Sequence, residues 1–135
     1  DIDHQAFAHF YEECHHPLIY NGDLTTLEQL RDMENRYPHL AGLMVGRGLL
    51  ARPSLAKEYT EGREWNHEEH IHCLSSLHTE LTEQYSHIVK GNDQLHSKLR
   101  TFWEYTEPLI GHKPYKKIMK SGNLRNYMNA IEELR

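Results

Sequence analysis

Apolar residues recur at three- and four-residue steps through Ala6, Phe7, Phe10, Tyr11 and Cys14, so the chain opens in an amphipathic helix. Pro17 stops it, because proline lacks the N–H that a helix interior requires. The period then changes. Leu18, Ile19 and Tyr20 are apolar at consecutive positions and stop at Asn21-Gly22-Asp23. Ala41, Gly42, Leu43, Met44 and Val45 do the same and stop at Gly46-Arg47-Gly48. Runs of this kind predict strands of a parallel sheet, buried on both faces. Between them, Thr25 and Glu28 fit a capping box. Leu27, Leu30 and Met33 line one face of the helix that follows, which ends near Tyr37-Pro38. Strand, helix and strand within about 30 residues make a βαβ unit with a right-handed crossover.

Beyond residue 66 the strand signal disappears. Ile71, Leu74, Leu77 or His78, Leu81, Tyr85 and Ile88 trace one stripe of a long helix, with Asn66 as N-cap and Gly91 past its end. Leu95, Leu99, Phe102, Thr106 and Leu109 predict a second helix that stops before Gly111. Pro114 opens a third, carrying Tyr115, Ile118 and Met119. Leu124, Tyr127, Met128, Ile131 and Leu134 mark a fourth. The pattern predicts a mostly α fold, a βαβ unit followed by a C-terminal four-helix bundle. A family resemblance carried by the two glycine turns implies that the βαβ unit is a partial (β/α)8 barrel remnant, its last two βα units. The boundary falls within residues 52–64, which assigns residues 1–56 to the barrel part and 57–135 to the helical domain. The helical pattern begins almost at Asp1, with no Met and no strand before it, so the chain is expected to start inside a larger domain. Two parallel strands by themselves leave both edges unpaired and one apolar face uncovered, which predicts self-association or rearrangement near residues 1–50.

Composition narrows the function classes. With 38% hydrophobic residues and no low-complexity tract, the chain can build a core. No apolar run approaches the roughly 20 residues that span a bilayer. Two cysteines are too few for a disulfide framework and point to a reduced, cytoplasmic protein. The net charge of −5 is uneven: residues 1–89 carry −9 and residues 90–135 carry +4. Lys98, Arg100, Lys113, Lys116, Lys117 and Lys120 cluster around one helix and the loop before it. Solvated helix faces carry such charges, and so does a surface for structured RNA, which is read largely through shape and phosphates. Trp103 and Tyr105 fall off the apolar stripe and are open to base stacking, whereas Phe102 and Tyr127 read as core. His67, Glu69, His70 and Cys73 have helical ligand spacing, but no second cluster completes a site, so no metal is expected.

In a parallel sheet both glycine turns emerge side by side at the carboxyl edge. Glycines allow backbone N–H groups to approach an anion closely, and Arg47 adds a donor fork suited to a phosphate monoester. Loops after the last strands of (β/α)8 barrels often form such a site. Either turn alone would equally close an ordinary βα connection.

The run Pro17-Leu18-Ile19-Tyr20-Asn21-Gly22-Asp23, then Gly42-Leu43-Met44-Val45-Gly46-Arg47-Gly48-Leu49-Leu50 and Pro53, resembles the end of the tRNA-dihydrouridine synthase barrel. That family shows a strand ending in Asn-Gly-Asp, a helix, an apolar strand ending in Gly-Arg-Gly, then a short apolar segment and a proline. The helical region resembles the family's C-terminal tRNA-binding domain more loosely. The resemblance implies that Asn21, Gly22 and Asp23 sit beside the phosphate of FMN and that Gly46 and Arg47 bind it. It implies reduction of uridine to 5,6-dihydrouridine in tRNA, with NADPH as reductant of the flavin and a cysteine as proton donor. The family's catalytic cysteine and ring-contacting residues belong to earlier barrel strands, which this sequence does not contain. Cys14 and Cys73 sit in helical patterns, so no catalytic residue, no independent activity and only weak FMN binding are expected of this chain. The alternatives are another FMN barrel oxidoreductase acting on a small molecule, or a non-enzymatic helical module that binds RNA or protein.

Overall fold

The computed structural model describes residues 2–135, and the fold is mostly helical. Asp3 starts the first helix, α1 (His4–Glu13), by accepting hydrogen bonds from the Gln5 and Ala6 amides. Cys14 follows as its C-cap, just outside the helix. β1 (Ile19–Asn21) and β2 (Gly42–Met44) pair in parallel, with Ile19 opposite Gly42, Tyr20 opposite Leu43 and Asn21 opposite Met44. The crossover between them is α2 (Leu27–Arg36).

The capping box of α2 lies one residue beyond the expected pair. Thr26 Oγ1 accepts from the Gln29 amide at 3.2 Å, and the Gln29 side chain accepts from the Thr26 amide at 3.3 Å and from the Thr25 amide at 2.8 Å. A carboxamide at the third helical position does this as well as a carboxylate, and here it also takes the Thr25 hydroxyl, leaving Glu28 free on the surface.

Burial of the strands on both faces is not observed. Tyr20 is buried against the helices, whereas Ile19 and Met44, on the opposite face, are 61% and 55% exposed. No described residue packs over that face, so only one side of the sheet contributes to the core. That core gathers Tyr20, Leu24, Leu27, Leu30, Met33 and Leu55. The last of these belongs to α4 (Leu55–Glu61), which follows the single-turn helix α3 (Arg47–Ala51). Phe7 on α1 stacks edge-on against Tyr20 and Tyr37, with ring centroids 4.7 and 5.0 Å away, and so fastens α1 to the strand pair.

A second core lies in the helical region, formed by α5 (His67–Ile88), α6 (Asn92–Thr101), α7 (Glu107–Ile110), α8 (His112–Met119) and α9 (Leu124–Leu134). Ile71, Leu74, Leu99, Ile110, Ile118 and Ile131 fill it around Trp103 and Tyr127. Each fully buried aliphatic side chain contributes roughly 1.5–3 kcal/mol. Asn66 caps α5 as expected, in a reciprocal box with Glu69.

Of the two residues left open on the α5 stripe, Leu77 and His78, it is His78 that faces the core, where its ring finds a hydroxyl partner. Other details depart from the pattern-based expectation. Ile88 is 72% exposed at the last position of α5, beyond the reach of the neighbouring helices. The expected second helix breaks after Thr101, where residues 102–106 turn and Thr106 Oγ1 donates to the Trp103 carbonyl at 2.9 Å. α8 begins at His112, released by Gly111 at φ 89°, and Pro114 sits in its first turn without starting it. The region therefore holds five helices among the described residues rather than four, one of them a single turn.

Candidate functional site

The strand register sets the geometry of the two glycine turns. Since Asn21 is paired with Met44, Gly22-Asp23 and Val45-Gly46 leave the sheet together at its carboxyl edge. Asp23 takes a left-handed backbone, φ 45°, and its carboxylate receives the Arg47 guanidinium across the gap between the turns. Both side chains are more than half exposed, so the pair is worth at most about 1 kcal/mol; its effect is to place Arg47.

Glycine is required at two points by contact. A Cβ on Gly48 would lie 2.1 Å from the Leu24 carbonyl oxygen, so the second turn presses directly on the backbone of the first. A Cβ on Gly22 would meet the Tyr20 hydroxyl at 2.3 Å, because that ring folds beneath the turn. Burial first, then the charges of Tyr37 and Asp23, raise the Tyr20 pKa and keep the hydroxyl neutral. Gly46 differs, since the space beside it is open. α3 starts there without a side-chain cap, and among the described residues the amides of Gly46, Arg47 and Gly48 donate to no protein acceptor. Open space, unpaired amides and a guanidinium beside them fit a phosphate monoester.

The basic residues divide into groups. Lys113, Lys116, Lys117 and Lys120 line one open depression of about 830 Å³ between α8 and α9. Asn126 and Asn129 face them from α9, and Lys117 is paired with Glu133. Arg100 Nη1 donates to the Met119 carbonyl at 3.4 Å, at the end of α8. Lys98 stands apart, in a separate depression of about 400 Å³ walled by Leu49, Leu50, Leu81, Phe102 and Tyr105. Trp103, open to stacking on its sequence position, is 0% exposed and belongs to the core. Phe102 is only half-buried, and Tyr105 remains accessible.

Two of the four helical ligand-spaced residues, His70 and Glu69, have other partners. His70 meets Ser54, and Glu69 pairs with Arg63 at 2.7 Å while closing the α5 cap. Among the described residues no group of three or more His, Cys, Asp or Glu converges. No helix among them is long and apolar enough to cross a membrane.

A family model described as dihydrouridine synthase matches residues 2–134. The chain belongs to the dihydrouridine synthase family. No curated protein matches it. The family consists of oxidoreductases that act on uridine in tRNA, and flavin dependence is general within it. In this dihydrouridine synthase chain the two turns and the basic depression belong to different cores, the turns to the first and the depression to the second. Asn126 and Asn129 had no distinguishing signal in the sequence beyond their place on the polar face of α9. The close approach of Gly48 to Leu24 gave none at all, because it depends on strand register.

Proposed function

We propose that this chain is the C-terminal segment of an FMN- and NADPH-dependent tRNA-dihydrouridine synthase of the cytoplasm. Residues 1–56 form the end of an FMN-binding barrel, and residues 57–135 form the tRNA-binding domain. The observation that carries the reading is the interlocked pair of turns, with Gly48 against the Leu24 carbonyl, Arg47 on Asp23 and unpaired amides at Gly46 and Arg47. Asn21, Gly22 and Asp23 flank the phosphate, Gly46 and Arg47 bind it, and Tyr20 supports the turn from below. FMN, when bound, supplies the hydride chemistry for the uracil ring. The chain's own contribution is to hold one end of that cofactor and to orient RNA.

Lys113, Lys116, Lys117 and Lys120 supply closely spaced cations for the tRNA backbone, with Arg100 beside them and Lys98 at a second point of contact. Neither cysteine is assigned a catalytic role: Cys14 ends α1, and the thiol of Cys73, half-buried on α5, is raised in pKa by burial. Both strand edges and the face of Ile19 and Met44 provide a surface for self-association of the chain. An FMN barrel oxidoreductase acting on a small molecule would use the same cradle, but the basic depression favours RNA.

The test is a titration of the ¹⁵N-labelled chain with FMN and, separately, with riboflavin. FMN should shift the amides of Gly22, Gly46 and Arg47, weakly but at saturable positions, and riboflavin should not. Equal responses to both flavins, or none at these amides, would remove the cradle from the account.

A further inference from the structure

Glu58 is charged, yet it is 0% exposed and lies outside both the cradle and the basic depression. A buried carboxylate is stable only if its oxygens are fully satisfied. Here they are. Arg52 donates to both oxygens, through Nε at 2.6 Å and Nη2 at 2.7 Å, and the Ser54 hydroxyl donates at 3.0 Å. The Trp65 amide donates to Oε1 as well. Burial alone would raise the Glu58 pKa, but the Arg52 guanidinium, the Trp65 amide and the Ser54 hydroxyl outweigh it and hold the carboxyl down at about 2.

The partners of Glu58 come from both sides of the molecule. Arg52 is the C-cap of α3, the helix whose other end is the cradle residue Arg47. Ser54 and Glu58 flank Leu55, a member of the first core. Trp65 leads into α5, and His70 on that helix is buried beside Ile71, a member of the second core. His70 Nδ1 lies 3.2 Å from the Ser54 hydroxyl and its Nε2 lies 3.6 Å from Glu58 Oε1. Because the Ser54 hydrogen is committed to Glu58, His70 donates from Nδ1. One carboxylate thus ties the far end of the cradle helix to the first turns of the long bundle helix. Away from it, an apolar depression of about 400 Å³ opens between Leu50 on the cradle helix and Leu81 of the long helix, while α3 also touches α7.

We infer that Glu58 is a positioning residue: through Arg52 and His70 it fixes the orientation of the phosphate cradle relative to the RNA-binding helices. The functional meaning of that orientation rests on the reading under Proposed function, but the mechanical claim does not. Residual dipolar couplings of the chain separate the two. In the wild type, couplings from α2 and from α5 and α9 should fit one alignment tensor. In Glu58→Gln, each core should keep its own couplings and the near-ultraviolet signal of Trp103, while the single tensor splits into two. The milder Ser54→Ala, which removes the hydroxyl bridge between Glu58 and His70 but leaves the Arg52 and Trp65 bonds to Glu58, should partly separate them and decides the matter if Glu58→Gln does not fold. A single tensor in both variants would overturn the proposal, as would global unfolding of Glu58→Gln with Ser54→Ala unchanged, since that pattern means stability rather than orientation. A wild-type titration with inorganic phosphate, read at the Gly46 and Arg47 amides, judges the cradle independently of the joint.

Discussion

The hydroxyl of Tyr127 lies 2.7 Å from Nε2 of His78, with both residues buried in the centre of the helical core. The same oxygen accepts from Trp103 Nε1 at 2.8 Å and reaches the Leu99 carbonyl at 3.2 Å. A three-helix polar junction therefore sits inside an otherwise apolar core, with all of its groups partnered.

That junction makes the bundle acid-sensitive. Burial first, and then the Arg135 charge, pull the His78 pKa down to about 4. An unfolded histidine titrates near about 6.5, so between these values the unfolded chain binds the extra proton and stability falls as pH drops. The contribution is complete above about pH 6.5, and about 2 kcal/mol of it should be gone at pH 5. His70 and His96, also lowered mainly by burial, act in the same direction. Glu58 adds little in this window, because its contribution is lost only as pH falls from the ordinary carboxylate value toward about 2. Urea unfolding at pH 7.5 and pH 5 measures the difference, and equal stabilities would contradict the assignment.

Tyr127→Phe should destabilise the bundle without changing its shape. It strands the Trp103 N–H and the His78 ring nitrogen, at about 1–3 kcal/mol for each buried group left unsatisfied. The denaturation midpoint should fall with the far-UV spectrum of the native state unchanged.

Gly48→Ala probes the interlock of the turns. Its Cβ would meet a backbone carbonyl, which cannot rotate away as a side chain can, so a cost of about 1–3 kcal/mol is expected. The variant should also lose the FMN-specific shifts at Gly46 and Arg47, whereas Gly46→Ala, with open space beside it, should cost little stability.

Much of this was legible in the sequence. Consecutive apolar runs ending in glycine turns marked both strands, and three- and four-residue periodicity marked the long helices. The rest depended on contacts between distant positions. Nothing local distinguishes Thr26 from Thr25 as a cap until Gln29 is seen to serve both amides. Trp103 lies off the Leu95–Leu99 stripe, yet it is buried because the chain turns at residues 102–106 and carries it inward. Lys98 and Lys113 look like one cluster along the chain, but they lie in separate depressions. The Arg52–Glu58 pair was invisible, since its importance comes from burial and not from spacing.

The uncovered strand face predicts association. Sedimentation velocity should show concentration-dependent growth of the wild-type chain, and Ile19→Lys with Met44→Lys should suppress it by charging the face. A wild type that stays monomeric at all concentrations would show that the exposed strands are not adhesive.

As the proposed RNA-orienting end of a dihydrouridine synthase, the chain should bind tRNA through the lysines of the α8–α9 depression, and binding across a salt series measures this. Fluorescence anisotropy should give saturable binding whose affinity falls with salt. Reversal of Lys113, Lys116 and Lys120 to Glu should weaken it and lower the log–log salt slope by about 2–3. Lys98→Glu alone should lower the slope by about 1 or less. An unchanged affinity and slope in the triple variant would contradict the account.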